Sequence, residues 1–158
     1  MGLFDFVKDA GRKLSGGDDG AKDAAVAEYI EENQKANALW HMVTDMGLKV
    51  DDLQITFDDG VAKVTGTAES RETAEKVVLA IGNTEGVARV DDRLAYHNPQ
   101  PPSVFYTVES GDSLSKIALE QYGNASKYPL IFEANKPMLT DPDLIYPGQV
   151  LRIPPLDD

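Results

Sequence analysis

Pairs of adjacent aspartates punctuate the chain, among them 18/19, 51/52, 58/59 and 91/92. Clustered carboxylates suit hard divalent cations such as Ca2+. None of the pairs stands in the alternating loop with a closing glutamate that an EF-hand uses. Turn and solvated-surface roles are therefore expected of them. His41 and His97 are the only histidines and the chain has no cysteine, so the clustered partners of a zinc site are missing. Disulfides, thiolate ligands and cysteine nucleophiles are excluded outright. The block Gly111-Asp112-Ser113-Leu114 has the letters of an esterase nucleophile. Such a serine needs a histidine base and an orienting acid, and no histidine follows it. Position 115 is a serine, which breaks the Gly-x-Ser-x-Gly elbow. Capping a helix through Asp112 or Ser113 is the expected role, and no catalysis is expected. Asn124-Ala125-Ser126 is a glycosylation sequon by letter and matters only for a secreted chain.

The composition narrows the ligand. Fifteen Lys and Arg against 27 Asp and Glu give a formal charge of −12 over 158 residues. Nucleic acid and anionic membranes require a basic surface, so neither is an expected partner, whereas a cation is compatible. The start, Met1 to Ala10, is broken by Asp5, Lys8 and Asp9, unlike the apolar run of a secretory signal. No stretch approaches the ~18 apolar residues of a membrane helix. Gly2 invites myristoylation, but position 6 is Phe6 where that motif takes Ser or Thr. A cytoplasmic location is the default expectation.

Positioning elements follow from pattern. Leu3, Phe4, Phe6, Val7 and Ala10 predict a short helix over residues 3–10, docked on the body and stopped at Gly11. Ser15-Gly16-Gly17-Asp18-Asp19-Gly20 is a loop by composition. Residues 21–46 predict a helix with Val26, Tyr29, Ile30, Leu39, Trp40 and Val43 on its apolar face and a stop at Gly47; residues 34–37, with no apolar side chain larger than Ala36, leave room for a break. Residues 53–57 alternate with period two, Asp58-Asp59-Gly60 turns, and residues 61–65 return as a hairpin. Ser70 caps a helix through Ile81, with Glu72 and Lys76 paired on its surface. Gly82 ends it, a turn runs to Gly86, and residues 87–94 form a third strand. Asn98 to Ser103 holds three prolines and makes a stiff connector. Beyond it the order is strand (105–108), helix from Leu114, helix around Leu130 to Ala134, and strand (150–153). The class is α+β, in two small domains: 21–97 and 104–158, joined by 98–103 and preceded by a segment, 1–20, packing on the first.

Residues 104–154 resemble a LysM domain. The matching pattern is Tyr106-x-Val108-x-x-Gly111-Asp112-Ser113-Leu114-x-x-Ile117-Ala118, Tyr122-Gly123, Asn135, and Tyr146-Pro147-Gly148-Gln149-x-Leu151-x-Ile153-Pro154. Residues 24–95 resemble a BON domain, through Asp59-Gly60-Val61, Gly66 and Gly86-Val87-x-x-Val90. BON followed by LysM, opened by Met1-Gly2-Leu3-Phe4-x-Phe6-Val7-Lys8-Asp9-Ala10-Gly11, resembles the bacterial cytoplasmic potassium-binding family. The implied folds are α-β-β-α-β and β-α-α-β.

The resemblance implies K+ binding in preference to Na+, with a shape change that reports cytoplasmic potassium. Rb+ and Cs+ are the expected substitutes. Proteins that select K+ replace its water shell with carbonyl oxygens. Such oxygens are free in the last turn of a helix, at the negative end of its dipole. The family pattern points to the segment ending at Gly11 and the turn after Gly82. The implied backbone ligands are Val7, Ala10, Gly82, Thr84 and Val87, with Lys8 as a further candidate. The chain departs from the family at Thr84-Glu85, which backbone ligation tolerates. The LysM resemblance implies an alternative, binding of N-acetylglucosamine chains such as peptidoglycan. Its groove would comprise Gly111, Asp112, Ser113 and Leu114 on one side, and Asn135, Lys136, Pro137, Met138, Ile145 and Tyr146 on the other. An unknown protein partner is also compatible with this module.

Overall fold

The computed structural model describes residues 2–6, 24–98 and 103–156. Strand β1 (Gly2–Asp5), helix α1 (Ala24–Asp45), strands β2 (Val50–Asp58) and β3 (Val61–Ser70), helix α2 (Arg71–Gly82) and strand β4 (Arg89–Asn98) form the first unit. Strand β5 (Val104–Thr107), helices α3 (Leu114–Tyr122) and α4 (Tyr128–Ala134) and strand β6 (Val150–Ile153) form the second. The α+β class and both element orders match expectation, with β1 added at the front.

The first sheet runs β1-β4-β3-β2. β2 and β3 are an antiparallel hairpin, and its Asp59-Gly60 turn takes positive φ at both residues (51° and 81°). That is the turn whose twist matches paired strands. Ser70 caps α2 as expected, its hydroxyl accepting from Thr73 N–H at 3.2 Å. Lys76 and Glu72 pair at 3.3 Å. α2 crosses from β3 to β4, so these two strands are parallel. Val77, Val78 and Ile81 bury with Leu39, Val43, Val64 and Val90 in one core. Helix α1 runs unbroken through residues 34–37, because Gln, Lys and Ala all propagate helix well. Trp40 is partly exposed rather than buried, its indole N–H donating to Leu53 O at 3.1 Å. The side chains of Val26, Tyr29 and Ile30 lie outside the described residues.

The expected helix over residues 3–10 is not what its first half forms. Gly2–Asp5 is a strand, antiparallel to β4, with Phe4 opposite Val90. Phe4 and Phe6 alternate with the exposed Leu3 and Asp5. On a helix the two rings would point about 200° apart. On a strand both reach the core, against which they pack. Residues 7–10 and the expected stop at Gly11 lie outside the described residues.

The second unit closes on Val108, Leu114, Ile117, Ile131, Leu139, Leu151 and Ile153. Its two strands pair antiparallel. Ser113 is the cap of α3, accepting from Lys116 N–H at 3.2 Å. Asp112 instead accepts from Tyr106 O–H at 2.6 Å and Glu109 N–H at 2.9 Å.

The two units share an apolar and ionic face. The rings of Phe4 and Phe105 lie 5.3 Å apart. Arg152, only 6 % exposed, donates through Nε to Glu75 at 3.0 Å and through Nη2 to Ser103 Oγ at 2.9 Å. The side-chain amide of Asn83 pairs with the backbone of Val150 in both directions. Its Oδ1 accepts from Val150 N–H at 2.8 Å and its Nδ2 donates to Val150 O at 2.7 Å.

Candidate metal centre

Helix α2 ends in a tight turn that carries the sequence-predicted carbonyls. Asn83 N–H reaches back to Leu79 O at 2.9 Å, Thr84 N–H to Ile81 O at 3.2 Å, and Val87 N–H to Thr84 O at 3.1 Å. The carbonyls of Gly82 and Val87 accept no hydrogen bond from the described residues. Gly82, Asn83, Thr84 and Val87 are all buried. These residues follow one another at the C-terminal end of a helix that carries roughly half a negative charge. This donor set suits a large, weakly hydrated cation.

The residue after β1 meets this turn. The ring of Phe6 lies flat against Gly82, so that a Cβ on Gly82 would stand 2.1 Å from Phe6 Cζ. Phe6 N–H donates to Ala88 O at 2.8 Å. Gly82 is therefore glycine for close approach and not for a left-handed cap, and the cap residue is Asn83 at φ −84°. Val7, Lys8 and Ala10 lie outside the described residues. Of the expected ligands, Gly82, Thr84 and Val87 are brought together in one turn.

Two details bear on fit. The Thr84 hydroxyl donates to Ala80 O at 3.0 Å, so the polar departure from the family pattern is satisfied within the helix. A cation already touches the turn. Lys35, on α1, donates its ammonium to Glu85 O. It lies 3.0 Å from the place a Cβ on Gly86 would take. Burial pushes the Lys35 ammonium below the usual lysine range, and the Glu85 carboxylate pulls it back up. The Lys35 ammonium thus meets one carbonyl of the turn, that of Glu85. Lys35 escaped the sequence reading, although it stands one turn before Leu39 and two before Met42 on the buried stripe of α1. A lysine on an apolar stripe was the available signal.

The acidic and histidine candidates stay apart. Among the described residues no three His, Cys, Asp or Glu lie close enough to hold a metal ion. Asp91 pairs with Arg93 at 2.9 Å and Asp92 accepts from Leu94 N–H at 3.0 Å. Asp18 and Asp19 lie outside the described residues. The two sides of the proposed glycan groove differ. Gly111 and Ser113 are exposed, Asp112 is half-buried and Leu114 is in the core. The opposite side faces the first unit. Asn135, Pro137 and Met138 line a crevice with Leu48, Lys76 and Leu79. Asn135 is spent internally on Ile131 O and on Arg152 N–H and O, at 2.7, 2.8 and 3.0 Å. Tyr146 donates to Asn83 O at 3.3 Å. Lys136 is turned outward, its ammonium on Glu133 at 3.0 Å, and Ile145 packs on the second core.

Residues 30–98 match the BON domain model and residues 106–154 the LysM domain model. The Potassium binding protein Kbp of Escherichia coli is 48 % identical over 154 residues, covering 98 % of this chain and 99 % of that protein. The chain belongs to the Kbp family. Other similarities are local. An uncharacterized protein of Deinococcus radiodurans is 55 % identical over 49 residues, 31 % of this chain and 19 % of that protein. An esterase of Mycobacterium tuberculosis is 49 % identical over 53 residues, 34 % of this chain but 11 % of the esterase. A match of that length does not carry the esterase's activity to a Kbp-family chain. No described helix is long and apolar enough to cross a membrane.

Proposed function

We propose that this chain is a K+-selective binding protein, and that it senses potassium in the cytoplasm. The observation that carries this reading is the turn after α2, where among the described residues the carbonyls of Gly82 and Val87 accept no hydrogen bond, that of Thr84 accepts one, and the Phe6 ring packs on Gly82. The 48 % identity to a potassium-binding protein over nearly the full length supports it. Gly82, Thr84 and Val87 give one part of the coordination shell; Val7 and Ala10, with Lys8 as a further donor, give the other. Carbonyl oxygens replace water around K+ and suit Rb+ and Cs+ for the same reason. The function is binding and not catalysis, and neither nucleic acid nor membrane is a partner.

Coupling to shape runs through Asn83. This residue sits between Gly82 and Thr84, and its side chain holds the backbone of β6. An ion that fixes the turn fixes the clasp, so it binds the docked arrangement more tightly than an undocked one, and differential affinity is what shifts a population. The docked arrangement covers the Asn135–Met138 side of the LysM groove, which disfavours the glycan reading. Calorimetric titration with K+, Rb+, Cs+, Na+ and Ca2+ tests the ion. Saturable heat for the first three, with little for Na+ and Ca2+, is expected. Equal affinity for Na+ and K+ refutes selectivity. A scattering radius that contracts on K+ but not Na+ supports sensing, and an unchanged radius at saturation reduces the protein to a static binder.

A further inference from the structure

We infer that Lys35 is a tethered competitor of potassium: its ammonium holds the turn at Glu85–Gly86 when the ion is absent, and its withdrawal is part of binding. This inference rests on the ion-binding reading above and adds a residue to it. An ammonium and a potassium ion carry the same charge and are similar in size, and both are bound by carbonyl oxygens. Lys35 Nζ donates to Glu85 O, between two of the proposed ligand positions, Thr84 and Val87. Gly86, at φ 95° and without a side chain, leaves the space that the ammonium uses.

The lysine is held in place by its own helix. Lys35 is half-buried and lies one turn before Leu39, whose side chain is fully buried in the core. Its stem must therefore reach along the protein surface to the turn, and its head donates to the Glu85 carbonyl. A positive charge fixed beside a cation site lowers the affinity of that site by Coulomb repulsion. It also keeps the carbonyls of an empty site from facing one another without a counter-charge. The arrangement trades affinity for an ordered empty state. Such a trade suits an ion present at high concentration, where tight binding would leave a sensor permanently saturated.

The experiment compares wild type with Lys35→Gln, Lys35→Met and Lys35→Arg by calorimetric K+ titration. Thermal melts of each are recorded with and without K+. Removing the charge is expected to tighten K+ binding about tenfold, or ~1.4 kcal/mol, in both Gln and Met variants. Their melting points in K+-free buffer should fall, and the gain on adding K+ should exceed that of wild type, as linkage requires. Lys35→Arg retains the charge and should bind K+ within about threefold of wild type. In wild type, side-chain NMR signals of Lys35 should shift as K+ is added, a readout independent of whether any variant folds. Unchanged or weaker K+ binding in both neutral variants overturns the inference and leaves the ion site standing. Lys35 signals that stay fixed through the titration overturn it as well. A wild-type chain that binds no K+ refutes the ion reading and this inference together.

Discussion

Gly82 shows how much one missing side chain can determine. It adopts ordinary helical backbone, yet any Cβ would lie 2.1 to 2.3 Å from the Phe6 ring. Gly82→Ala must displace that ring or the end of α2. Overpacking of this kind costs on the order of 1–3 kcal/mol. It should also weaken K+ binding, because the collision falls on Gly82, one of the proposed ligands. Chemical denaturation and calorimetry check both effects. Adding Phe6→Ala removes the collision, so the double variant should lose less stability than the two single losses summed. Asp92 gives a second prediction at this scale. Burial lifts its carboxyl above the ordinary 3.8, helped by Asp91 and Glu75 and opposed by the hydrogen bond from Leu94 N–H. A carboxyl raised in the folded state favours folding while protonated. That contribution is complete below the unfolded value and is lost as pH rises through the folded one. At neutral pH the charge therefore opposes folding. Asp92→Asn keeps an oxygen for Leu94 N–H and removes the charge. It should raise the melting point at pH 7, with the gain gone below about pH 3.8.

At the scale of elements, the end of α2 joins two tasks. Its backbone leads into the proposed ion turn and its Asn83 side chain takes the place of a strand partner for β6. Asn83→Asp keeps the acceptor for Val150 N–H but turns the donor facing Val150 O into a second carboxylate oxygen. Asn83→Ala removes both bonds and leaves two buried backbone groups without partners, at about 2–4 kcal/mol. Asp should be at least as damaging as Ala, and denaturation of the two variants side by side checks the order. What was legible in the sequence divides along the same line. The Asp59-Gly60 hairpin, the Ser70 cap, α2 and the whole second unit are written in local chemistry, such as turn residues, caps and apolar periodicity. The strand at Gly2–Asp5 was misread because its partner, β4, lies far along the chain and only that edge makes an extended form favourable. Phe4 and Phe6 carried the period-two signal, but four residues are too few for pattern to outweigh helix. The Gly-bounded turn was legible as a turn, and its proposed role as an ion site came from the family resemblance; the ammonium of Lys35 on it depends on how α1 is laid across the sheet.

For the molecule as a whole, the two units are joined by buried charge and hydrogen bonds that cross between them. Glu75 on α2 accepts from Arg152 at 3.0 Å, and Ser103 N–H reaches the same carboxylate at 3.3 Å. Arg152 is 6 % exposed, so Glu75→Gln strands a buried cation. Breaking a buried pair from one side costs about 3–5 kcal/mol, and here the loss falls on docking. Glu75 touches none of the proposed ligands and lies seven positions before Gly82. Its substitution nevertheless has a consequence for ion binding. If K+ favours the docked arrangement by some factor, docking must favour K+ by the same factor. Glu75→Gln should therefore lower K+ affinity while leaving the ion turn's own residues intact. The K+-free chain should expand in scattering, and saturating K+ should recover part of the wild-type radius. The drop in affinity and the recovered docking are two measures of one coupling energy and should agree. An affinity equal to wild type in a visibly expanded variant would mean that the turn binds its ion without regard to the second unit, and the clasp at Asn83 would then be mechanical only.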